Sequence, residues 1–574
     1  MVKKYLTLYY KKAVSSISGE SFTNDQTMTN LKKLAKSVNS YIINKQIHAN
    51  IKVLVPTSFN AGKDWWIHDG IITAALRIRG AEIIPVICDR VQSDECMFSS
   101  GEWQDSRSQN FHNIRDKICD DCQQRSHEMW DIWGLNPVQL KSFITREEIL
   151  RINDSVSELM KGDWRNATIE NYAAGYNAWK ATVNNDLQFD ITDDWKERAL
   201  LLSSQHLYNI MVLFKVYERV FKVFSPDRVF GNGGFYYQWG VVNHISTQNN
   251  VPYYRYHKIG ISKNSWNYAR NSNDLFGDGN GESWESWKEQ PLTVVNEKRV
   301  VQELLLRGLQ LEHDINLDNT RNDIIKRLGL DINKPIVLAT TGVAWDATTN
   351  SPSHSYENMY EWLWDTISWF ETNTEAQLII RVHPAENVEM KINPVNRTRF
   401  EAETKKREIN IPKNVRIISP DDPISTYDLF HIAKLGMVYL STTGLEMACL
   451  GLPVIVVGQA HFSEKGFTYD PENREEYLNI MSEVVLNDNH KSNHIETQQL
   501  ARKYFFYYSF HNSINMGFMD QTNKESNVLK ELEYKDLLPG ANPYLDYICD
   551  AILTNSPINS ENLWPPEKKD ISVC

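Results

Sequence analysis

The clearest chemical signal in this chain is a phosphate-binding pattern within residues 437–458, MVYLSTTGLEMACLGLPVIVVG. Residues 437–440 are an apolar run that predicts a buried parallel strand, and residues 453–457 predict the next one. Between them, a hydroxyl-rich turn opens a short helix, whose first N–H groups and partial positive charge suit an anion. The turn consists of Ser441, Thr442, Thr443 and Gly444. Glu446, in the first turn of the helix, is a candidate acceptor for ribose hydroxyls.

A histidine at the end of an earlier predicted strand is the second candidate for phosphate chemistry. The strand ends at His383, and Pro384 suits the first turn of a following helix. We therefore expect His383 beside the 441–444 turn, where it would hold a donor phosphate or protonate the leaving phosphate oxygen. Arg381 is assigned to the same phosphate site. The alternative is that His383 is a structural histidine that caps its strand.

The loop 60–70, between a predicted strand and a predicted helix, is the candidate source of a catalytic base. Asp69 would deprotonate an acceptor hydroxyl, and His68 is the rival base. The alternative is that Asp69 only caps a helix that begins at Gly70. Trp65 and Trp66 are candidates for packing on sugar rings, since aromatic faces pack well on apolar ring faces, and we expect at least one of them to be exposed.

Other predicted loops supply weaker candidates. A glycine-rich turn at 232–234, Asn-Gly-Gly, would allow a sugar to approach the backbone, or it is a plain tight turn. Asp346, after the first strand of the second lobe, is a candidate for sugar hydroxyls, with a capping role as the alternative. Lys465 and His461 would neutralise phosphate charge, unless they are merely solvated.

Seven cysteines in so large a chain indicate a reducing compartment. Four of them lie close enough in the sequence to suggest a structural zinc site, and free thiols are the default alternative. These four are Cys88, Cys96, Cys119 and Cys122.

The elements that must position these residues alternate between strands and helices, which predicts an α/β fold with doubly wound parallel sheets. The chain has 574 residues, too many for one core, so we expect two Rossmann-like lobes that face a cleft. The predicted domains are an N-terminal helical extension (1–50), a first, acceptor lobe (51–270) with a helical insertion at about 95–222, an interlobe linker with helices (271–330), a second, donor lobe (331–495) and a C-terminal helical tail packing across the lobes (496–574).

The overall charge and hydropathy exclude some classes of protein. A net charge of -12 argues against a nucleic-acid binder, which needs a basic face. No apolar run approaches the roughly 20 residues that span a bilayer. Lysines at positions 3, 4, 11 and 12 are compatible with a weak contact with a membrane surface or with a solvated basic arm. We expect a cytoplasmic protein, and those lysines are compatible with a location at the inner face of the membrane.

Together, the RVHP motif, the segment STTGLEMACLGLPVIV and the continuation GQAHFSEKGFTYD resemble bacterial capsule and lipopolysaccharide glycosyltransferases of the two-lobed GT-B fold. These segments are similar to capsule polysaccharide biosynthesis proteins that include the Kdo transferases. The HP and Ser/Thr motifs are also similar to those of bacterial sialyltransferases and polysialyltransferases. The resemblance covers residues 335–475. It implies that the HP histidine and the hydroxyl turn hold a donor nucleotide, often CMP.

The resemblance predicts transfer of a sugar from a nucleotide-sugar donor to an oligosaccharide or lipid-linked glycan acceptor. A CMP-sugar such as CMP-Kdo or a sialic-acid-like sugar is favoured. No Asp-x-Asp pair in a loop requires a divalent metal, so we expect metal-independent transfer with no cofactor. Two alternatives are a nucleotide-sugar epimerase of the same architecture and a non-catalytic glycan-binding protein.

Overall fold

The chain forms two compact units in the computed structural model. The first unit is discontinuous and comprises Met1–Thr182, Asp193–Glu285 and Ser509–Cys574, and the second comprises Val183–Thr192 and Ser286–Tyr508. The structure describes residues 26–57, 63–92, 111–186, 188–233, 236–258, 265–271, 282–309, 315–345, 353, 355–387, 399–486, 494–523 and 526–558.

The described strands belong to three sheets. In chain order they are β1 (Ile51–Thr57), β2 (Ala81–Ile87), β3 (Val138–Gln139), β4 (Arg228–Asn232), β5 (Tyr253–Lys258), β6 (Trp266–Arg270), β7 (Ile336–Thr340), β8 (Gln377–Arg381), β9 (Val415–Ile418), β10 (Leu435–Val438), β11 (Val454–Val456), β12 (Met519–Asn523) and β13 (Ser526–Leu529).

The described α-helices surround these sheets. They are α1 (Gln26–Lys45), α2 (Lys63–Ile78), α3 (Phe111–Ile132), α4 (Arg146–Leu159), α5 (Ala174–Asn185), α6 (Lys196–Phe224), α7 (Tyr237–Gln248), α8 (Glu282–Trp287), α9 (Val294–Arg307), α10 (Ile315–Leu328), α11 (Met359–Thr372), α12 (Phe400–Lys406), α13 (Thr426–Phe430), α14 (Thr443–Cys449), α15 (Arg474–Leu486), α16 (His494–Phe506) and α17 (Pro543–Thr554).

The first unit is built on a six-stranded sheet in the order β3-β2-β1-β4-β5-β6. Its strands are parallel except at the edge, where β6 runs antiparallel to β5. One face of this sheet packs on a core that includes residues of α1, α2 and α17, and the other face packs on residues of α4, α6 and α7. Covering both faces is what buries a mostly parallel sheet.

The second unit holds a five-stranded, fully parallel sheet in the order β11-β10-β7-β8-β9. Every residue of β7 and β8 is buried, as expected for central strands with both faces covered. Strand order reverses between β7 and β10. Ligands of open α/β sheets bind outside the carboxyl ends of the strands at such a reversal.

Both sheets therefore have the strand order of Rossmann-like folds, and the predicted α/β class with two doubly wound, Rossmann-like lobes is confirmed. The cleft between lobes stays a prediction. The antiparallel edge strand β6 and the short β3 were not predicted. Strand β10 ends at Val438, two residues before the predicted end of that strand.

Candidate functional site

Three neighbouring strands of the second unit bring the two predicted phosphate motifs to one edge of the sheet. In the parallel register, Val438 of β10 pairs with Thr340 of β7, and Thr340 pairs with Arg381 of β8. The hydroxyl turn follows β10 and His383 follows β8. They are thus separated by two strand spacings, about 10 Å. The two motifs therefore lie at the same edge of one sheet, with β7 between them, and their joint action on one phosphate stays a prediction.

The hydroxyl turn is held by a chain of hydrogen bonds that also includes β7. Thr443 Oγ1 donates to Ser441 Oγ at 2.8 Å, and Thr340 Oγ1 lies 2.7 Å from Thr443 Oγ1. A threonine hydroxyl has one hydrogen, so Thr340 must donate to Thr443. We call Thr340, Thr443 and Ser441 the hydroxyl chain. Thr442, in contrast, is exposed and makes no side-chain cap for α14.

Gly444 belongs to the turn for a packing reason. A Cβ atom there would lie 2.7 Å from Val438 Cγ2, closer than real Cβ contacts, and it would lie 3.0 Å from Phe462 Cζ, which is a tight contact. Any larger residue would therefore push the start of α14 away from β10.

His383 is fixed by backbone and side-chain contacts on both sides. Its N–H donates to Thr341 Oγ1 at 2.8 Å, and its Nδ1 accepts from the N–H of Ala385 at 3.1 Å. Because Nδ1 acts as an acceptor, the neutral ring carries its proton on Nε2. Pro384 begins a 3₁₀ turn, Pro384–Asn387, as its place after the strand predicts. The half-buried imidazole thus has a defined tautomer at the strand end.

Arg381 and Glu446 are largely engaged with other protein groups. Arg381 is 4% exposed, and its guanidinium donates to the backbone carbonyls of Ser419 and Asp422. Arg307 Nη1 donates to Glu446 Oε1 at 2.8 Å, and the Glu446 side chain is 3% exposed. Burial raises the pKa of this carboxyl. The predicted ribose contact of Glu446 stays a prediction.

The loop that follows β11 places Lys465 and His461 in different environments. His461 stacks on Tyr508 with ring centroids 4.1 Å apart, and burial lowers its pKa to about 3. It is therefore neutral near pH 7, and the expectation that it neutralises phosphate charge is wrong. Lys465 is half-buried, and its role in neutralising phosphate charge stays a prediction. Asp346 lies outside the described residues.

The first unit differs from the sequence prediction around Asp69 and His68. Helix α2 begins at Lys63, so both residues lie inside a helix and not in a loop before one. Asp69 therefore does not cap a helix that begins at Gly70. Gly70 is required because a Cβ atom there would lie 2.4 Å from Trp133 Nε1. The glycine of the Asp-Gly pair thus has a packing role.

Both ring nitrogens of His68 have partners. Nε2 lies 2.7 Å from the hydroxyl of Tyr268, and Nδ1 lies 3.3 Å from Asp69 Oδ1. The ring packs between Tyr256 and Trp266, with centroids 4.3 and 4.1 Å away. His68 is 6% exposed, and burial is the largest influence on its pKa, which is lowered although Asp69 acts in the opposite direction. The imidazole is thus neutral, held and screened from solvent.

A small apolar pocket adjoins His68 within the first unit. Its empty volume, open solvent included, is about 480 Å³. It is lined by Ile67, His68, Ile71, Ile72, Trp266, Asn515, Met516, Phe518 and Met519. The pocket is distinct from the hydroxyl chain, which belongs to the second unit.

Neither of the two tryptophans singled out in α2 is exposed. Trp66 is 7% exposed, and the half-buried Trp65 packs edge-on against Trp266 at 5.2 Å. The expectation of an exposed tryptophan is therefore wrong, because α2 carries both against the core. Asn232 ends β4 at the strand-order reversal of the first sheet, and its Oδ1 accepts from the N–H of Gly233 at 2.6 Å. Gly234 lies outside the described residues.

The predicted zinc site is not tested as a whole, since Cys96 lies outside the described residues. Cys88, Cys119 and Cys122 are thiols rather than halves of a disulfide, and burial raises the pKa of Cys88. Among the residues that the structure describes, no group of three or more His, Cys, Asp or Glu side chains is placed to hold a metal ion. Within the same residues, no helix is both long and apolar enough to cross a membrane.

Sequence reasoning assigned no role to Thr340 and Thr341, which contact the hydroxyl turn and His383. One signal was present, because Thr-Thr-Gly occurs both at 340–342 and at 442–444, each time after an apolar strand. It also missed Tyr256 and Tyr268, which contact the His68–Asp69 pair from β5 and β6. No local pattern marks those two tyrosines.

Residues 300–510 match the model of a family described as capsule polysaccharide biosynthesis protein. This segment contains β7 to β11 and all of the residues predicted for a phosphate site that are described above. The predicted resemblance to capsule polysaccharide biosynthesis proteins is thereby confirmed for this part of the chain. Comparison with curated proteins gave no match.

Some solved structures are similar at low sequence identity. KpsC of Thermosulfurimonas dismutans, beta Kdo 2,7 transferase, is 17% identical, with 50% of this chain and 78% of that chain covered and a TM-score of 0.30. KpsC beta Kdo 2,4 transferase of the same organism is 13% identical, with 48% of this chain and 79% of that chain covered and a TM-score of 0.27. UDP-GlcNAc 2-epimerase from Neisseria meningitidis is 10% identical, with 80% of this chain and 96% of that chain covered and a TM-score of 0.24. Similarities this low say nothing about substrate.

Proposed function

We propose that this protein is a glycosyltransferase that moves a sugar from a nucleotide-activated donor to a bacterial capsule or lipopolysaccharide glycan. One observation carries the proposal. The hydroxyl chain lies at the strand-order reversal of a Rossmann-like sheet and His383 follows the next strand, β8, within the segment that matches capsule polysaccharide biosynthesis proteins. This is the place where such sheets bind nucleotides.

The proposed chemistry is the stabilisation of a departing nucleotide phosphate. As the bond to the sugar breaks, negative charge grows on the phosphate oxygen. His383 carries its Nε2 proton, and Ser441 offers a hydroxyl, so both donate to that charge. A CMP-sugar such as CMP-Kdo or a sialic-acid-like sugar is the favoured donor, by the resemblance of the HP and Ser/Thr motifs. No metal is part of this scheme, because protein hydrogen-bond donors alone stabilise the departing phosphate.

The acceptor base is proposed to be Asp69 of the first unit. The contacts of His68 favour Asp69 over His68, because both imidazole nitrogens are already hydrogen bonded. His68 then orients the carboxylate. The acceptor is a glycan, free or lipid-linked, and the protein acts in the cytoplasm, where nucleotide sugars are available.

Nucleotide binding and sugar transfer test this proposal separately. We expect CMP to raise the melting temperature more than UDP or GDP, and the His383→Ala variant to lose most of that shift. Release of CMP from CMP-Kdo should depend on added capsule oligosaccharide and should survive EDTA. Binding of none of the three nucleotides refutes the proposal. Conversion of a UDP-sugar without an acceptor would instead identify an epimerase, and inactivation by EDTA with rescue by Mn²⁺ would refute metal independence.

A further inference from the structure

Two consecutive threonines connect the two phosphate motifs. Thr340 is the last residue of β7, the strand between β10 and β8, and Thr341 follows it. Each is 2% exposed. Thr340 Oγ1 meets Thr443 in the hydroxyl turn, whereas Thr341 Oγ1 accepts the N–H of His383. The pair therefore contacts one motif on each side.

The direction of the hydroxyl chain determines what it offers to a ligand. Thr340 donates to Thr443, and Thr443 donates to Ser441. Ser441 Oγ also accepts a longer hydrogen bond, 3.4 Å, from the backbone N–H of Thr443. In both of these contacts the serine oxygen is the acceptor. Among the described residues, no acceptor takes the hydroxyl hydrogen of Ser441. Hydrogen bonds in such a chain polarise one another, which strengthens the final O–H as a donor.

Thr341 has the matching effect on the other motif. Its hydroxyl holds the backbone N–H of His383, while the Ala385 N–H occupies Nδ1. Together these contacts fix the ring with its proton on Nε2. Packing alone would not require threonine at either position, since valine has nearly the same shape without the hydroxyl.

We infer that Thr340 and Thr341 are the positioning residues of the donor-phosphate site, which direct the Ser441 hydroxyl and the His383 imidazole as two hydrogen-bond donors for one nucleotide phosphate. The inference rests on the proposed nucleotide site. It assigns a separate task to each hydroxyl, so the two threonines can be tested against each other.

The test measures the dissociation constant of CMP by calorimetry for the full chain and its variants. We expect Thr340→Val and Thr341→Val each to weaken CMP binding about threefold to tenfold, the range for one hydrogen bond. Thr340→Ser and Thr341→Ser should restore most of the affinity. Thr366→Val is the matched control, because that buried hydroxyl bonds Trp362 and Tyr477 in the same unit. It should leave the CMP constant unchanged.

Double variants test the division of labour. Thr341→Val should add no further loss in the His383→Ala background but retain its effect in the Ser441→Ala background. Thr340→Val should add no further loss in the Ser441→Ala background but retain its effect in the His383→Ala background. With an acceptor present, the valine variants should lower kcat more than they raise KM, since the donors act most strongly on the departing phosphate.

Several outcomes would overturn the inference. Wild-type affinity in both valine variants, or equal losses in all backgrounds, would show that the hydroxyls only fill space. Should a valine variant fail to fold, the alanine variant at the same position takes its place in the cycle. If the wild-type chain binds CMP and only the inference fails, the proposed function stands. If it binds none of CMP, UDP and GDP, both fall.

Discussion

At the residue scale, a buried histidine of the first unit determines part of the pH response. His206 in α6 has no exposed surface, and its Nδ1 lies 3.2 Å from the hydroxyl of Tyr237. Burial lowers its pKa to about 3. The folded protein therefore keeps this ring neutral at a pH where an unfolded chain would protonate it.

Acid should therefore destabilise the fold through His206. The unfolded state binds a proton below about pH 6.5 while the folded state does not, so stability is lost as the pH falls below that value. Between pH 7 and pH 5, one such histidine costs about 2 kcal/mol. We expect His206→Gln to reduce the difference in unfolding free energy between these pH values, measured by urea titration. An unchanged difference would contradict this account.

The sequence allowed candidate phosphate motifs to be assigned residue by residue, because the patterns that define them are local. A hydroxyl turn and a histidine after apolar strands are visible in a single segment. The role of Gly70 was not visible, because its cause is the indole of Trp133, 63 positions later in the chain. The Asp-Gly pair therefore resembled a loop motif while its glycine serves helix packing.

At the element scale, three helices of the second unit meet at a buried ion pair. Arg307 ends α9, Glu446 lies in α14, and the pKa of Tyr427 in α13 is raised by burial and by the nearby Glu446 carboxylate. The Arg307 side chain is 21% exposed and that of Glu446 is 3% exposed. Removing one partner leaves the other charge poorly solvated.

This pair should couple α9 to the start of α14. We expect Glu446→Ala and Arg307→Ala each to lower the unfolding free energy by about 2–4 kcal/mol, and the double variant by less than the sum. The exposed pair Arg321–Asp318, at 3.8 Å, provides the control. Asp318→Ala should cost under about 0.5 kcal/mol. Additive losses for Glu446 and Arg307 in denaturant titrations would show that they do not act together.

Most strands were predictable because parallel strands are buried on both faces and appear as apolar runs. The start of α2 was not, because its first turns mix aromatic and charged residues that fold as a helix only where Trp66 and Ile67 pack on the core. Strand β6 was missed for a similar reason. Its sequence, WNYAR, shows no regular alternation of apolar and polar residues, and its position depends on pairing with β5.

At the scale of the whole molecule, the chain leaves the first unit and returns to it. Residues Ser509–Cys574 belong with the first unit although the second unit precedes them. Helix α17 packs against α2, and Arg79 Nη2 pairs with Asp546 Oδ1 at 2.5 Å. Local sequence patterns predict helices in this tail but not the unit that they complete, because that depends on contacts between residues more than 450 positions apart.

The return of the chain predicts that a change near the C-terminus acts on the first unit alone. Ile548 of α17 is fully buried in the core that contains α2. We expect Ile548→Ala to cost about 2–5 kcal/mol and to accelerate hydrogen exchange in Lys63–Ile78. Exchange in Met359–Thr372 of the second unit should stay at its wild-type rate. Ile495→Ala is the control, since that side chain is 66% exposed and should change neither segment. Faster exchange in both segments of the Ile548→Ala variant would show that the two units unfold together, and the chain would then behave as one cooperative body.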